Sequence, residues 1–333
     1  MNGSIAFAFV LATLGGLLTG AFALPMKFVT RWKWENTWLA FSFFGFVLIP
    51  AVIVGAAVPG LWNIYSQVPL ARVQLIVGLG YLWGLGALTY GVGMERLGIG
   101  LGSAFVLGIS TLVGTILPIF MAGTVSLKWA PFIGGLIMLL GGIAICGWAG
   151  SEREHASSTT PSGKKRRYVS GVAICIVSGV LSSLLNVGMV AARPVQELAS
   201  RGPAPAWASG DAVWPMLLFG GFLANATYCA YLLVRNGSAR LYLNGGLREW
   251  LGAFAMGAAW IIGVLMYGAG AFFMGNLGPI IGWPVFMSLM LVCAYLVGRL
   301  TNEWSGVDGA VIRRMNAGIV ITVVSLFLIG YSR

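Results

Sequence analysis

The sequence predicts an all-α integral membrane protein of about ten transmembrane helices, arranged as two inverted five-helix repeats. Three observations lead there: a shortage of charge, a series of apolar segments of bilayer length, and a polar interruption with five segments on either side. Hydrophobic residues make up 58% of the 333 and charged residues 9%, whereas soluble domains carry about 25% charged residues. Nine carboxylates cannot clothe a water-soluble surface of this size. A chain solvated by lipid needs no such coat.

A spanning helix takes roughly 20 apolar residues. Segments of that kind run over about 4–26, 36–57, 71–93, 98–121, 130–149, 169–191, 212–234, 250–273, 279–299 and 313–331. The first lacks a basic stretch before it and is followed by many of its kind, so it reads as a membrane helix and not as a cleaved leader. The fourth and ninth are entered through glycine turns, Leu97-Gly98 and Leu277-Gly278. Residues 151–168, rich in Ser, Thr, Pro and Gly and ending in Lys164-Lys165-Arg166-Arg167, form a linker between a first repeat, 1–150, and a second, 169–333.

The net charge of +11 is spread singly between apolar runs, which fits loops at a membrane surface and speaks against nucleic acid as a partner. The loops after the odd-numbered segments, including Lys27, Arg153 and Arg299, hold fifteen basic residues, and the opposite side holds five. By the positive-inside rule the linker is cytoplasmic and both termini face outward. Cys146, Cys175, Cys229 and Cys293 lie far apart in apolar runs, and His155 is the single histidine. No metal site, cofactor or nucleotide-binding loop is expected. No cluster of carboxylates or histidines converges at one interface, so an enzyme is not expected either.

Five segments per half is an odd number, so the second half enters the membrane from the opposite side. Related halves then form an inverted repeat, a common basis of alternating access. Met94, Leu97, Gly98 and Gly102 recur 180 residues later as Met274, Leu277, Gly278 and Gly282. Ala23-Leu24-Pro25 is echoed by Ala192-Arg193-Pro194. Gly16-xxx-Gly20 and Gly80-xxx-Gly84 have the spacing that lets membrane helices approach closely.

The run Gly20-Ala-Phe-Ala-Leu-Pro25-Met-Lys27, then Trp32-Lys-Trp34-Glu35-Asn-Thr-Trp38, resembles the first loop of the bacterial L-rhamnose–proton symporter family, within the drug/metabolite transporter superfamily. Leu82-Trp83-Gly84 through Tyr90-Gly91, Leu97-Gly98-Ile-Gly100-Leu-Gly102, Thr111-Leu-Val-Gly114-Thr115 and Asn302-Glu303-Trp304 extend the resemblance along the whole chain. It implies a proton-coupled importer of a deoxy-sugar or related monosaccharide. The opening of the ninth segment, Gly278-Pro-Ile-Ile-Gly-Trp283-Pro284, is less polar than the family pattern and carries no acid.

A sugar site in a membrane needs aromatic faces for C–H surfaces, and amides or hydroxyls for the sugar's own hydroxyls. Trp83 and Tyr90 lie seven apart on the third segment, and Trp260 and Tyr267 seven apart on the eighth. The two pairs are positioned to flank a central cavity. Asn186 and Asn225 are the deepest amides, Tyr228 accompanies Asn225, and Trp283 stands at the broken start of the ninth segment. Ser103, Thr111 and Thr115 offer further hydroxyls. All nine carboxylates fall in loops or at segment ends. Glu95 is the coupling candidate they leave, while Asp211 and Glu249 read as helix starts, where negative charge suits the dipole. The alternative to a proton-coupled sugar importer is a facilitator or exporter of another small polar metabolite.

Overall fold

The structure is a computed structural model that describes residues 2–97, 99–121, 126–157 and 165–332. Every regular element among these is helical. The long helices are α1 (Asn2–Gly20), α2 (Trp34–Phe43), α3 (Leu70–Leu97), α4 (Ile99–Met121), α5 (Trp129–Ser157), α6 (Lys165–Ala191), α7 (Trp214–Arg235), α8 (Leu247–Met274), α9 (Trp283–Leu300) and α10 (Gly309–Tyr331). Among the described residues nine apolar stretches are long enough to cross a membrane. The longest, Leu247–Leu300, contains both α8 and α9, which accounts for ten crossings.

The helices break where proline removes a donor. A π-turn over Phe44–Leu48 joins α2 to its continuation Ile49–Ala57. Pro50 has no N–H for the Phe46 carbonyl four residues back, and an added residue absorbs the mismatch. After α1, Pro25 opens a 3-10 turn over Leu24–Phe28. After α6, Pro194 opens the separate helix Arg193–Ser200. Between α8 and α9 the chain passes Gly275 at φ 61°, a left-handed position suited to glycine, and then a π-turn over Gly278–Gly282.

The linker departs from the sequence reading. α5 continues to Ser157 and α6 begins at Lys165, so both ends of 151–168 are helical. Once a helix leaves the bilayer, its backbone bonds still form and its Glu, Lys and Arg residues are good helix formers. The middle of the linker, 158–164 with Lys164, lies outside the described residues, as does Gly98 of the turn before α4.

Packing pairs the helices across the two halves. α1 lies against α8 and α9, while α6 lies against α3 and α4. α3 packs on α7, and α8 packs on α2 and its π-turn; α2 meets α7, and α5 meets α10. Exchanging each helix for the one five places on turns this set of contacts into itself. The two expected glycine pairs make some of the closest approaches: Gly16 and Gly20 face the Phe286 and Met290 carbonyls of α9, and Gly80 and Gly84 face α7. One large buried cluster at the centre contains Trp83, Trp214, Trp260, Tyr267, Trp283 and Phe286.

Candidate substrate site

Asn186, in the last two turns of α6, is fully buried. Its Nδ2 donates to the carbonyls of Gly114 at 2.7 Å and Pro279 at 2.9 Å. Its Oδ1 accepts from the Tyr267 hydroxyl of α8. Both carbonyls need a side-chain donor because prolines have removed backbone ones. The helical partner of the Gly114 carbonyl is residue 118, a proline. In the π-turn, the i+5 partner of the Pro279 carbonyl is residue 284, also a proline. One amide thus ties the interiors of α4, α6 and α8 to the broken start of α9.

Trp283 completes this group. Its Nε1 donates to the Ser110 carbonyl at 3.0 Å, and its indole lies directly against Gly114, where any Cβ would collide with it. The Tyr267 ring sits 5.7 Å from the Trp283 ring and 4.8 Å from Phe286. The hydroxyls of Ser110 and Thr115 are buried and have no hydrogen-bond partner among the described residues. Thr111, by contrast, bonds its own helix at the Leu107 carbonyl, 2.7 Å away. Aromatic faces beside unspent hydroxyls are what a polyol ring requires.

A second group lies further along α8. Trp83 and Trp260 stack with centroids 5.4 Å apart, and Phe46, aimed by the π-turn, abuts both at 5.2 and 4.8 Å. A ring held between two aromatic faces needs about 3.5–4.0 Å on each side, so this pair is closed against a substrate. Asn225 accepts from the Trp38 indole at 2.7 Å and donates to the Gly221 carbonyl at 2.8 Å. Trp38 in turn connects through Phe41 to Phe46.

The remaining expected residues stand apart. Tyr90 bonds Ser103 of α4 at 2.8 Å, and Tyr228 is 39% exposed with its ring edge-on to Trp34. Glu95 is exposed near the end of α3. Glu249 behaves as the helix start read from sequence, reaching back to the Gly246 N–H at 3.0 Å. Asp211 does not. It closes the short helix Ala206–Asp211, is 1% exposed, and accepts from the Trp214 indole at 2.9 Å. Sequence reasoning missed that burial, because an acid just before an apolar helix looks like a cap. The signal was Trp214, a donor three residues away in an otherwise apolar stretch.

A cavity of about 300 Å³ reaches this interior from one end of the bundle. Arg193, Gln196, Glu197 and Asn276 line it, and so does Pro279, whose carbonyl Asn186 holds. The opposite end is tied shut. Lys27, beyond α1, pairs with Glu303, beyond α9, and donates to Thr301 at 2.7 Å. Arg153 stands 3.9 Å from Glu303 and over the Trp304 ring. The Lys27 ammonium holds the Glu303 carboxyl below the usual carboxylate range. Nearby, Glu35 accepts from Asn236 at 2.9 Å and Ser238 at 2.6 Å, fastening the first turn of α2 to the α7–α8 loop.

Crossing helices around a buried polar and aromatic centre, entered from one end and latched at the other, define a multi-pass membrane transporter. Residues 1–332 match the L-rhamnose-proton symport protein (RhaT) family, and the chain belongs to that family. It is a transport protein, not an enzyme. An L-rhamnose-proton symporter of Pectobacterium atrosepticum is 24% identical, over 95% of this chain and 95% of its own. One from Cronobacter sakazakii is 25% identical over 99% of this chain and 98% of its own. A solved crystal structure of a protein aligns with a TM-score of 0.55 at 17% identity, covering 96% of this chain and 98% of its own. That likeness concerns the fold alone.

Proposed function

We propose that this protein imports a small neutral sugar, L-rhamnose or a related deoxy-sugar, together with protons by alternating access. The observation that carries the reading is the Asn186–Tyr267–Trp283 group beneath the cavity. It supplies ring faces and an amide, with two unpartnered hydroxyls alongside, and no fixed charge. Such a centre suits a polyol and offers no counter-charge to an ion. The names of the relatives supply the sugar and the proton.

The two halves, 1–150 and 169–333, are inverted repeats in this reading, supported by the exchange symmetry of the helix contacts and by the proline breaks after α1 and α6. In this reading the 151–168 linker is cytoplasmic and both termini are periplasmic in a bacterial inner membrane, which the excess of basic residues on the linker side supports. The latched end is then cytoplasmic and the cavity faces outward.

The test is uptake of labelled L-rhamnose by proteoliposomes under an inward proton gradient, with unlabelled monosaccharides, deoxy-sugars and polyols as competitors. Saturable accumulation that a protonophore abolishes is expected. Uptake that only equilibrates, whatever the gradient, would make the protein a facilitator. No uptake of any neutral sugar would remove the reading.

A further inference from the structure

A symporter must take up and release a proton inside the protein, and the substrate group has no carboxylate. Asp211 is a buried acid joined to it through Trp214 and Gly268. It is 1% exposed, and no lysine or arginine lies within ion-pair distance of it among the described residues. An ionised carboxylate so placed is costly, whereas the neutral carboxyl is tolerated. Fixed surroundings shape the site. The Trp214 indole donates to Oδ1 at 2.9 Å, and Gly268 of α8 lies against both Asp211 and Trp214, where any side chain would displace them.

Its position joins the two parts a coupling group must sense. On one side, Gly210 is bounded by Gln196, whose Nε2 donates to the Gly210 carbonyl at 2.9 Å, and by Phe272. Both of those residues line the cavity. Gly210, the residue before Asp211, therefore lies directly behind the cavity wall. On the other side, Gly268 directly follows Tyr267, the tyrosine that holds Asn186, and the Trp214 ring is 6.5 Å from the Tyr267 ring.

The titratable and charged groups on the elements packed around it are few. The Arg193–Ser200 helix brings Arg193 and Glu197, both on the cavity wall. α8 brings Tyr267, and the Leu61–Ser66 helix brings Tyr65, whose hydroxyl donates to the Ala212 carbonyl at 2.6 Å. The Ile49–Ala57 helix brings none.

We propose that Asp211 is the proton-carrying group of the cycle, loaded from the cavity past Gln196 and Phe272 and linked to the substrate group through α8. The proposal rests on the symport reading above. The step is a plain proton exchange. A hydronium ion in the cavity gives its proton to the carboxylate and leaves as water, and the carboxyl returns the proton to water at the cytoplasmic end after the structure has switched.

Two measurements test it, and one needs no substrate. Infrared spectra of the purified protein near neutral pH should contain the band of a protonated carboxyl that shifts in heavy water. The band should vanish in Asp211→Asn and persist in Glu35→Gln and Glu249→Gln. A band that survives Asp211→Asn, or no band in the wild type, overturns the assignment. In proteoliposomes, a gradient of one pH unit sustains up to about tenfold accumulation of L-rhamnose for one proton per sugar. Asp211→Asn should bring this to equality inside and outside, and Asp211→Glu should recover part of it. Apparent affinity for L-rhamnose should weaken with rising pH in the wild type and be flat in Asp211→Asn. If Asp211→Asn does not fold, the wild-type band itself decides, because L-rhamnose binding must alter it; an unresponsive band overturns the coupling role. A wild type that accumulates no sugar sinks the transport reading, while the infrared band still decides where the proton sits.

Discussion

Asn186→Ala probes the join between fold and site most directly, because the amide does a task that prolines have left undone. Its removal strips a partner from the Gly114 and Pro279 carbonyls and from the Tyr267 hydroxyl. Interhelical hydrogen bonds in membranes average only about 0.6 kcal/mol, since an unfolded helix in lipid finds other partners. A buried polar group left without any partner costs about 1–3 kcal/mol. The second figure governs the two carbonyls as long as the local backbone keeps its present turns, in which Pro118 and Pro284 have no N–H to give them. A loss of about 2–4 kcal/mol follows. The decisive control is Pro118→Ala, which returns an N–H to the Gly114 carbonyl. In that background Asn186→Ala should cost less by about 1 kcal/mol or more. The assay is a double-mutant cycle of detergent-titrated unfolding on the purified wild type, both single variants and the pair. Strictly additive costs would refute the idea that Asn186 replaces the missing backbone donor.

Other consequences are open to similar checks. Trp83→Ala and Trp260→Ala should each abolish L-rhamnose uptake, while Trp83→Phe, which keeps a ring against Trp260 and Phe46, should retain part of it; uptake unchanged in both alanine variants would remove the second aromatic group from the site. Gly114→Ala should drive the Trp283 indole off the Ser110 carbonyl, at about 1–3 kcal/mol of overpacking and with loss of sugar-induced thermal stabilisation; a wild-type thermal shift with L-rhamnose would contradict this. Glu303→Gln should loosen the latched end. An exposed pair of this kind is worth about 0.2–1 kcal/mol, so labelling of a cysteine introduced by Ser305→Cys should rise by no more than about fivefold. Since Lys27 lowers the Glu303 pKa, the pair's stabilisation is complete above the ordinary carboxylate range and is lost as pH falls through the lowered value. The wild-type latch should therefore open only in acid, and a latch that loosened toward alkaline pH would contradict the pairing.

The fold was legible because lipid imposes a simple rule: apolar runs of fixed length, with charge confined to their ends. The prolines and glycines also marked true breaks, at Pro25, Pro194 and Gly278. What sequence could not yield was partnership. Seven-residue spacing put Trp83 with Tyr90 and Trp260 with Tyr267 on common helix faces. Tertiary packing then separated each pair, stacking the two tryptophans on each other, turning Tyr90 to Ser103 and giving Tyr267 to Asn186. Phe46 was invisible as a neighbour of the site because its aim depends on a π-turn that periodicity does not announce. Asp211 was hidden for the converse reason, since its sequence context fits a solvated cap and only the covering helices bury it.

Alternating access asks that two equivalent ends differ within any one state, and that the difference be small enough for ligands to reverse. Both ends here use the same device, a helix cut short by proline with a basic residue beside it. After α1 the device is closed, with Lys27 held by Glu303 beyond α9. After α6 it is open, with Arg193 on the cavity wall. In the proposed inverted repeat the other state exchanges these roles: the α6 end folds over the cavity while Lys27 releases Glu303. The tie between the α1 and α9 ends is an exposed pair worth about 1 kcal/mol or less, set beside the more buried Glu35 bonds to Asn236 and Ser238. A sugar and a proton that prefer the closed-over form by a few kcal/mol are then sufficient to shift the population, because a ligand moves an equilibrium only by its difference in affinity for the two states. A deeply buried latch of the same geometry would have demanded more than a neutral sugar can supply, so the weakness of the Lys27–Glu303 tie is itself part of how the transporter works.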